Sequence, residues 1–240
     1  NSVDVWQHPE LFDCGGSAGA PPDYFSKTGQ VWGFPIYNWE EMAKDDYQWW
    51  KKRLSVMSEY YDAYRIDHIL GFFRIFRTPV SSHYGLLGQF TPALPMSIPE
   101  IEEYGLKFDK EYYTRPIIND DILTQLFGEE KEEVASLYLE KTAENRYRLK
   151  EQYDTQEKID RELGGEGKEA LKKKLYHLCC QVLFVEDYKE KGKYHPRIAL
   201  PQSYLFPTLS RDMQERLRKI YEDFHYHRHN DFWKGVALRK

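Results

Sequence analysis

Proline placement constrains this 240-residue chain more than any other feature of its sequence. Between residues 78 and 99, four residues are each followed by proline: Thr78-Pro79, Thr91-Pro92, Leu94-Pro95 and Ile98-Pro99. Proline lacks an amide donor and restricts the residue before it, so these pairs interrupt any regular helix or strand. The spacing predicts a long wrapped connection between an N-terminal part and a C-terminal part, in a chain long enough for one large domain or two small ones.

The N-terminal part begins with loop-like sequence, in which glycines and prolines punctuate residues 14–22. Residues 45–62 then predict an amphipathic helix, because apolar side chains recur at helical spacing at Trp50, Leu54, Met57 and Tyr61. The β-prone segment 63–66 follows at once and predicts a buried strand that ends near Asp67. A helix that leads into a strand with a carboxylate at its carboxyl end is typical of a β/α barrel.

The C-terminal part is charged and predominantly helical in pattern. Its predicted helices are Ile118–Phe127, Lys131–Tyr147, Gln156–Leu163, Lys168–Asp187 and a last one from about Ser210 to Trp233. A complete barrel needs eight strands in roughly 250 residues. With one or two strand candidates and at least five helices, this chain is not expected to form a whole barrel.

Composition excludes several classes of protein. The net charge of −5 argues against a basic nucleic-acid-binding face, and the sequence has no apolar run near the ~20 residues of a membrane span. Three cysteines, two of them adjacent, make neither a disulfide framework nor a metal-binding pair, so a reducing cytoplasmic location is expected. Aromatic residues make up 16% of the chain; such rings either stack on sugars or simply fill cores and interfaces.

Two stretches carry a specific resemblance. The first, residues 19–39, reads GAPPDYFSKTGQVWGFPIYNW, and the second, residues 64–68, reads YRIDH. Together they closely resemble the 4-alpha-glucanotransferases of glycoside hydrolase family 77, also called amylomaltases or disproportionating enzymes. The resemblance covers about residues 1–80, with looser likeness at residues 194–198 and 224–233.

The resemblance implies a role for each site residue. Asp67 would be the catalytic nucleophile of a retaining enzyme, Arg65 would lie on the same face and keep it ionised, and His68 would bind sugar hydroxyls. The loop that begins with GAPPD would be the family's substrate loop, which lies over the bound glucan. The rings of Tyr24, Phe25 and Trp32 would stack on glucose, and the side chains of Asp23 and Gln30 would bind its hydroxyls. The alternatives are an Asp–Arg pair that only stabilises a loop, and a proline-stiffened surface loop with inward-facing aromatics.

Other candidate residues are expected to be structural, and no metal or cofactor is expected. His225, His227 and His229 suggest zinc ligands, but no glutamate follows the first histidine and no third ligand is evident, so a solvated or hydrogen-bonded helix face is favoured. Glu186-Asp187 is expected to close an amphipathic helix. Cys179-Cys180 is expected to pack within the same helix.

The family's E-D-L-G and H-D-N motifs, which carry its other two catalytic carboxylates, do not occur in this chain. We therefore expect an α/β segment from the middle of a longer enzyme: a partial (β/α)8 barrel over residues 1–85, a large mainly helical insertion over 86–215, and a helix returning to the barrel over 216–240. The expected function is transfer of glucosyl or maltosyl units between alpha-1,4-glucans. An alpha-glucan hydrolase and a non-catalytic glucan-binding piece are the alternatives.

Overall fold

The computed structural model describes residues 2–165 and 167–228, and they form a mixed α and β fold. The helices are α1 Val3–Gln7, α2 Trp39–Ala43, α3 Gln48–Ser58, α4 Ile98–Glu102, α5 Lys110–Thr114, α6 Asp120–Phe127, α7 Lys131–Tyr138, α8 Gln156–Glu162, α9 Glu169–Cys179 and α10 Arg211–Glu222. The strands are β1 Phe12–Asp13, β2 Gly16–Ala20, β3 Gln30–Val31, β4 Ile36–Tyr37, β5 Ile75–Pro79, β6 Gln89–Thr91, β7 Met96–Ser97, β8 Leu139–Ala143, β9 Arg146–Leu149, β10 Phe184–Glu186 and β11 Lys193–Pro196.

A four-stranded antiparallel sheet, in the order β3-β2-β5-β6, organises the N-terminal part. Its second strand consists only of small residues, so neighbouring backbones approach it closely. A Cβ on Gly19 would lie 2.1 Å from the carbonyl oxygen of Gln30, which only glycine avoids at this position. Arg77 of β5 ties the sheet to β1, since its Nε donates to Asp13 Oδ2 at 2.8 Å.

An aromatic cluster forms beside this sheet, where α2 and α3 meet the two-residue ladder of β1 and β4. Neighbouring ring centroids lie 5.1–6.3 Å apart in tilted, edge-on and stacked contacts. Its members are Phe12, Tyr37, Trp39, Trp49, Trp50 and Phe72. These contacts fix α3 against the ladder even though no residue of that helix is fully buried.

The main hydrophobic core lies in the C-terminal part, between residues 96 and 224. Helices α6, α8, α9 and α10 contribute its largest apolar faces, and a sheet in the order β10-β11-β7 closes one side. Gln156, 2% exposed at the start of α8, joins this core to the segment after β5. Its side-chain oxygen accepts from the amides of His83 at 2.5 Å and Tyr84 at 2.9 Å.

Two of the predicted helices are wrong in their second halves. The helix predicted to reach Tyr147 ends at Tyr138, and a β8–β9 hairpin follows, turning at Asn145 with φ 53°. The helix predicted to reach Asp187 ends at Cys179, because Phe184 to Glu186 pair with Tyr194 to Pro196 instead. Helix periodicity continues across both junctions in the sequence, but pairing with the next strand of the chain prevails there.

Three predicted helices are confirmed with shifted ends, as α3, α6 and α8, and the last is confirmed as α10 with a following π-helix over Asp223–Arg228. The remainder of that last helix lies outside the described residues. Asn119 and Thr155 cap α6 and α8 as expected for helix starts, since their side chains accept from backbone N–H groups of the first turn.

The strand predicted over residues 63–66 is wrong. This segment is exposed and pairs with no other strand among the described residues, so its β-prone side chains have no ladder to join. An isolated strand in water gains neither ladder hydrogen bonds nor burial. Every strand pairing within residues 2–165 and 167–228 is antiparallel, whereas a β/α barrel is parallel. No helix in this described part is long and apolar enough to cross a membrane.

Candidate functional site

The predicted substrate loop connects β2 to β3 and spans residues 21–29. Two glycines fix its base. Gly29 has φ 70°, a conformation that favours glycine. Gly85 packs against the loop base, where a Cβ on it would lie 2.9 Å from Ala20 O and 3.2 Å from the Cα of Gly29. The loop therefore leaves the sheet from a base that larger residues would force apart.

Asp23 organises the turn at the tip of the loop. Its Oδ1 accepts from the amides of Phe25 at 2.9 Å and Ser26 at 2.7 Å, while its own amide donates to Ser26 O at 2.9 Å. Ser26 Oγ in turn donates to Gly29 O at 2.7 Å. One carboxylate oxygen of Asp23 is thus already engaged in shaping the turn, and its predicted bond to a sugar hydroxyl stays a prediction.

Tyr24 and Phe25 project from this turn into solvent, with 86% and 90% of their surface exposed. Their rings touch edge to face at a centroid distance of 5.6 Å. Exposed aromatics of this size are costly to keep in water unless they have a partner. The alternative in which the loop aromatics tuck inward does not hold for these two residues.

Trp32 and His68 bring the two sequence motifs together. Their ring centroids lie 5.1 Å apart in an edge-on contact at 85°. The indole N–H of Trp32 donates to Gln30 Oε1 at 3.0 Å, which orients the ring and occupies the side-chain oxygen of Gln30. The sequence predicted that both motifs bind sugar; it did not predict this contact, which depends on how the chain folds between them.

Asp67 lies in the exposed segment that precedes a short 3-10 helix at Ile69–Phe72. Its side chain is 79% exposed, and its Oδ1 accepts from Arg65 Nε at 2.8 Å, so the predicted Asp–Arg pair is formed. His68, the next residue, takes a left-handed conformation with φ 49°, and its carbonyl accepts from the Gly71 amide at 2.8 Å. This turn directs the His68 ring toward Trp32.

The acidic and histidine candidates outside these motifs are engaged inside the fold. Glu186 Oε1 accepts from Lys110 Nζ at 2.9 Å, and buried Asp187 Oδ2 contacts His195 Nε2 at 2.7 Å. Burial opposes ionisation of Asp187, but the contact with His195 and two backbone N–H donors hold its pKa below its usual value. Glu186 ends strand β10 and Asp187 follows it, so neither residue closes a helix, which corrects the predicted helix end.

Histidine side chains of the last helix do not converge on a metal site within the described part of the chain, where no three His, Cys, Asp or Glu side chains cluster. Burial lowers the pKa of His225 to about 4, and its Nε2 lies 3.3 Å from Pro196 O. His229 lies outside the described residues. Cys179 and Cys180 are buried with free thiols, as expected for residues that pack.

A cleft that sequence reasoning missed opens between the substrate loop and the core of the C-terminal part. Its volume is about 600 Å³. Pro22, Asp23, Lys27 and Thr28 line the loop side, and the opposite side includes His177, Arg197, Gln202, Tyr204 and Tyr221. The signals in the sequence were the family resemblance at residues 19–39, which covers the loop side, and the looser likeness at residues 194–198, which includes Arg197.

Comparison with known proteins agrees with the two motifs. The family model described as 4-alpha-glucanotransferase, glycoside hydrolase family 77, matches residues 1–237, and the chain therefore belongs to this family. It is 38% identical over 247 residues to 4-alpha-glucanotransferase DPE2 of Oryza sativa subsp. japonica, a match that covers 100% of this chain and 26% of that protein. The predicted family is confirmed.

Shorter matches concern bacterial relatives. A 4-alpha-glucanotransferase of Chlamydia pneumoniae is 45% identical over 95 residues, 40% of this chain and 17% of that protein. Among solved structures, amylomaltase from Streptococcus agalactiae in complex with acarbose matches with 19% identity and a TM-score of 0.36, covering 93% of this chain and 55% of that one. The chain thus spans about a quarter or less of the curated relatives named here.

Proposed function

We propose that this chain is the part of a retaining 4-alpha-glucanotransferase that holds the nucleophile, Asp67, and the loop that covers the bound glucan. The observation that carries the proposal is the contact between the Trp32 and His68 rings. Through it, Trp32, which follows the substrate loop and strand β3, contacts His68, the neighbour of the proposed nucleophile. A glucose unit stacked near Trp32 would therefore lie beside the Asp67 carboxylate.

The chemistry that we propose for Asp67 is a double displacement. Its carboxylate attacks the anomeric carbon of an alpha-1,4-linked glucose and forms a covalent ester, while the leaving oxygen takes a proton from a second carboxyl group. The 4-hydroxyl of an acceptor glucan then attacks the same carbon, gives its proton back to the second carboxylate and displaces Asp67, which leaves as a free carboxylate. Arg65 Nε donates a charge-assisted hydrogen bond to Asp67 Oδ1 at 2.8 Å, which orients the carboxylate.

The surroundings of Asp67 support a larger assembly than the described residues alone. Apolar side chains on both sides of it are 45–66% exposed: Tyr64, Ile66, Ile69, Leu70 and Phe73. Such a contiguous apolar surface is typical of an interface. We propose that it packs, in the longer enzyme, inside a (β/α)8 barrel to which residues 1–85 and 216–240 contribute, with residues 86–215 as a mainly helical insertion.

The proposed substrates are maltose, maltodextrin, glycogen or starch, and no cofactor is needed for this reaction. The solved relative was obtained with acarbose bound. Free thiols at all three cysteines suit the reducing cytoplasm that we propose as the location. No nucleic acid or membrane partner is proposed.

The test uses the full-length enzyme with Asp67→Asn, and with Asp62→Asn as a matched control at an exposed carboxylate in the same segment. We expect Asp67→Asn to abolish glucosyl transfer from maltose to glycogen and Asp62→Asn to leave it unchanged. Transfer by Asp67→Asn at the parent rate would refute the assignment of the nucleophile. Free glucose released without any lengthened glucan would instead identify a hydrolase.

A further inference from the structure

The cleft between the substrate loop and the C-terminal core is lined by a buried cation, Arg197, that has no counter-ion among the described residues. Arg197 is 2% exposed, and its NH1 group donates to Ala199 O at 3.2 Å. Its Nε has no hydrogen-bond partner, and Arg197 forms no ion pair with any described carboxylate. An unpaired buried charge is strongly unfavourable, so a buried guanidinium without a carboxylate partner marks a place where an anionic ligand would be stabilised.

The groups around Arg197 that could carry a negative charge are held neutral. Burial raises the pKa of the Cys180 thiol to about 12, even though Arg197 opposes this, and burial also raises the pKa of the Tyr221 hydroxyl. Burial lowers the pKa of Arg197 itself, but arginine remains protonated at neutral pH because its ordinary pKa is so high. The guanidinium therefore meets the cleft as a full positive charge.

The rest of the lining suits a small polyhydroxy compound with an acidic group. Lys27, on the loop side, adds a second cation that forms no ion pair among the described residues. Among the described residues that line the cleft, Asp23 is the single carboxylate, and the turn of the loop already uses its Oδ1. Tyr204 and Gln202 contribute polar side chains, and about 600 Å³ lies within the range of small-molecule sites.

We propose that this cleft binds the phosphate monoester of a small sugar, with the phosphate on Arg197 and Lys27 and the sugar hydroxyls on Tyr204 and Gln202. A phosphate monoester carries about −1.5 to −2 charges at pH 7, which matches the two cations better than a carboxylate does. The planar guanidinium fork also fits two phosphate oxygens at once. The site is separate from the proposed transfer chemistry at Asp67 and does not depend on it.

The proposal is tested by titration calorimetry on the full-length protein with glucose 6-phosphate, glucose and inorganic phosphate. We expect saturable binding of glucose 6-phosphate that is at least tenfold tighter than that of either glucose or inorganic phosphate. Arg197→Met should abolish it and Lys27→Met should weaken it severalfold, whereas Arg211→Met, an exposed arginine at the start of α10, should not change it. The Asp67→Asn variant should bind glucose 6-phosphate normally, which separates this proposal from that for the nucleophile.

Three results would overturn it: no saturable binding of glucose 6-phosphate, equal binding of glucose, or unchanged binding in the arginine and lysine variants. If Arg197→Met does not fold, Lys27→Met still decides the matter, because Lys27 lies on a loop and its removal leaves the core intact. Binding of glucose 6-phosphate that is insensitive to Lys27→Met would then exclude this cleft.

Discussion

Gln156 offers the sharpest test of how the two parts of the chain are held together. Its Oε1 accepts from the amides of His83 and Tyr84, and its Nε2 donates to Tyr176 O at 3.2 Å and to Cys180 Sγ at 3.0 Å. The amide side chain is thus fully engaged in a buried position. Gln156→Ala removes all four contacts and leaves two backbone N–H groups without their acceptor.

The expected decrease in the free energy of unfolding follows from those two unsatisfied N–H donors. An unsatisfied buried donor costs about 1–3 kcal/mol, and the partly buried setting of residues 83 and 84 favours the lower half of that range. Adding the loss of packing around the deleted amide gives an expected decrease of about 3 kcal/mol in the free energy of unfolding. That is a large fraction of the stability of a typical domain.

The assay is urea unfolding of the 240-residue chain followed by far-ultraviolet circular dichroism. Gln152→Ala, an exposed glutamine in the turn just before α8, is the matched control and is expected to change stability by less than about 0.5 kcal/mol. The midpoint should fall for Gln156→Ala while the denaturant slope stays constant. A decrease below about 1 kcal/mol would show that the His83 and Tyr84 amides find other acceptors, and would refute the reasoning.

Three further predictions concern acid stability, glucan binding and turnover. Burial opposes ionisation of Glu100, yet hydrogen bonds from Ser97 and Arg228 lower its pKa from 4.5 to about 2. The ionised carboxylate therefore stabilises the fold fully above pH 4.5, and this stabilisation disappears as the pH falls through about 2. Because the side chain is 39% exposed, we expect Glu100→Gln to lower stability at pH 7 by only about 1 kcal/mol and to flatten the acid dependence of urea midpoints; an unchanged acid dependence would contradict this. Tyr24→Ala and Trp32→Ala should each weaken glucan binding by the full-length enzyme by about 1–3 kcal/mol, measured by calorimetry, and unchanged affinity in both would make the loop purely structural. The 240-residue chain alone should not turn over maltose. A double displacement needs a second carboxyl group about 5 Å from the nucleophile, and the fold engages Glu186 and Asp187 in other contacts. Sustained release of glucose at the full-length rate would contradict this.

The sequence predicted the starts of α6, α7, α8, α9 and α10 to within two residues and the ends of α6 and α8 to within one, but it placed the ends of α7 and α9 too late. Asn119 and Thr155 mark the starts of α6 and α8 because a cap is a contact within one turn of the chain. The end of α9 depends on strand β10 pairing with β11, residues that come later in the sequence, and the β8–β9 hairpin depends on a turn at Asn145 that looked like part of a helix. In both cases the strand forms because the next segment of the chain pairs with it, and helix periodicity alone could not reveal that pairing.

The candidate site, too, could be predicted from the sequence only in part. The motifs named Asp67 and Trp32 because each lies in a short, specific stretch of sequence. The strand predicted before Asp67 did not form because a strand requires a pairing partner, and no described strand pairs with residues 63–66. Arg197 could not have been selected from sequence, since its lack of a partner becomes visible only when the whole surrounding core is in place.

The aromatic cluster beside α3 gives this chain a natural optical reporter. Five of the six tryptophans, at positions 6, 32, 39, 49 and 50, lie in the first fifty residues, and the sixth, Trp233, lies outside the described part. Tryptophan fluorescence, excited selectively, will therefore report mainly on the N-terminal part. Tyrosine fluorescence will come from residues along the whole sequence. Trp39, Trp49 and Trp50 are close enough to couple electronically, while Trp32 stands apart against His68. A glucan that stacks on Trp32 would quench or shift one emitter and leave the coupled group unchanged, so that occupancy of the loop and integrity of the cluster can be followed in the same spectrum.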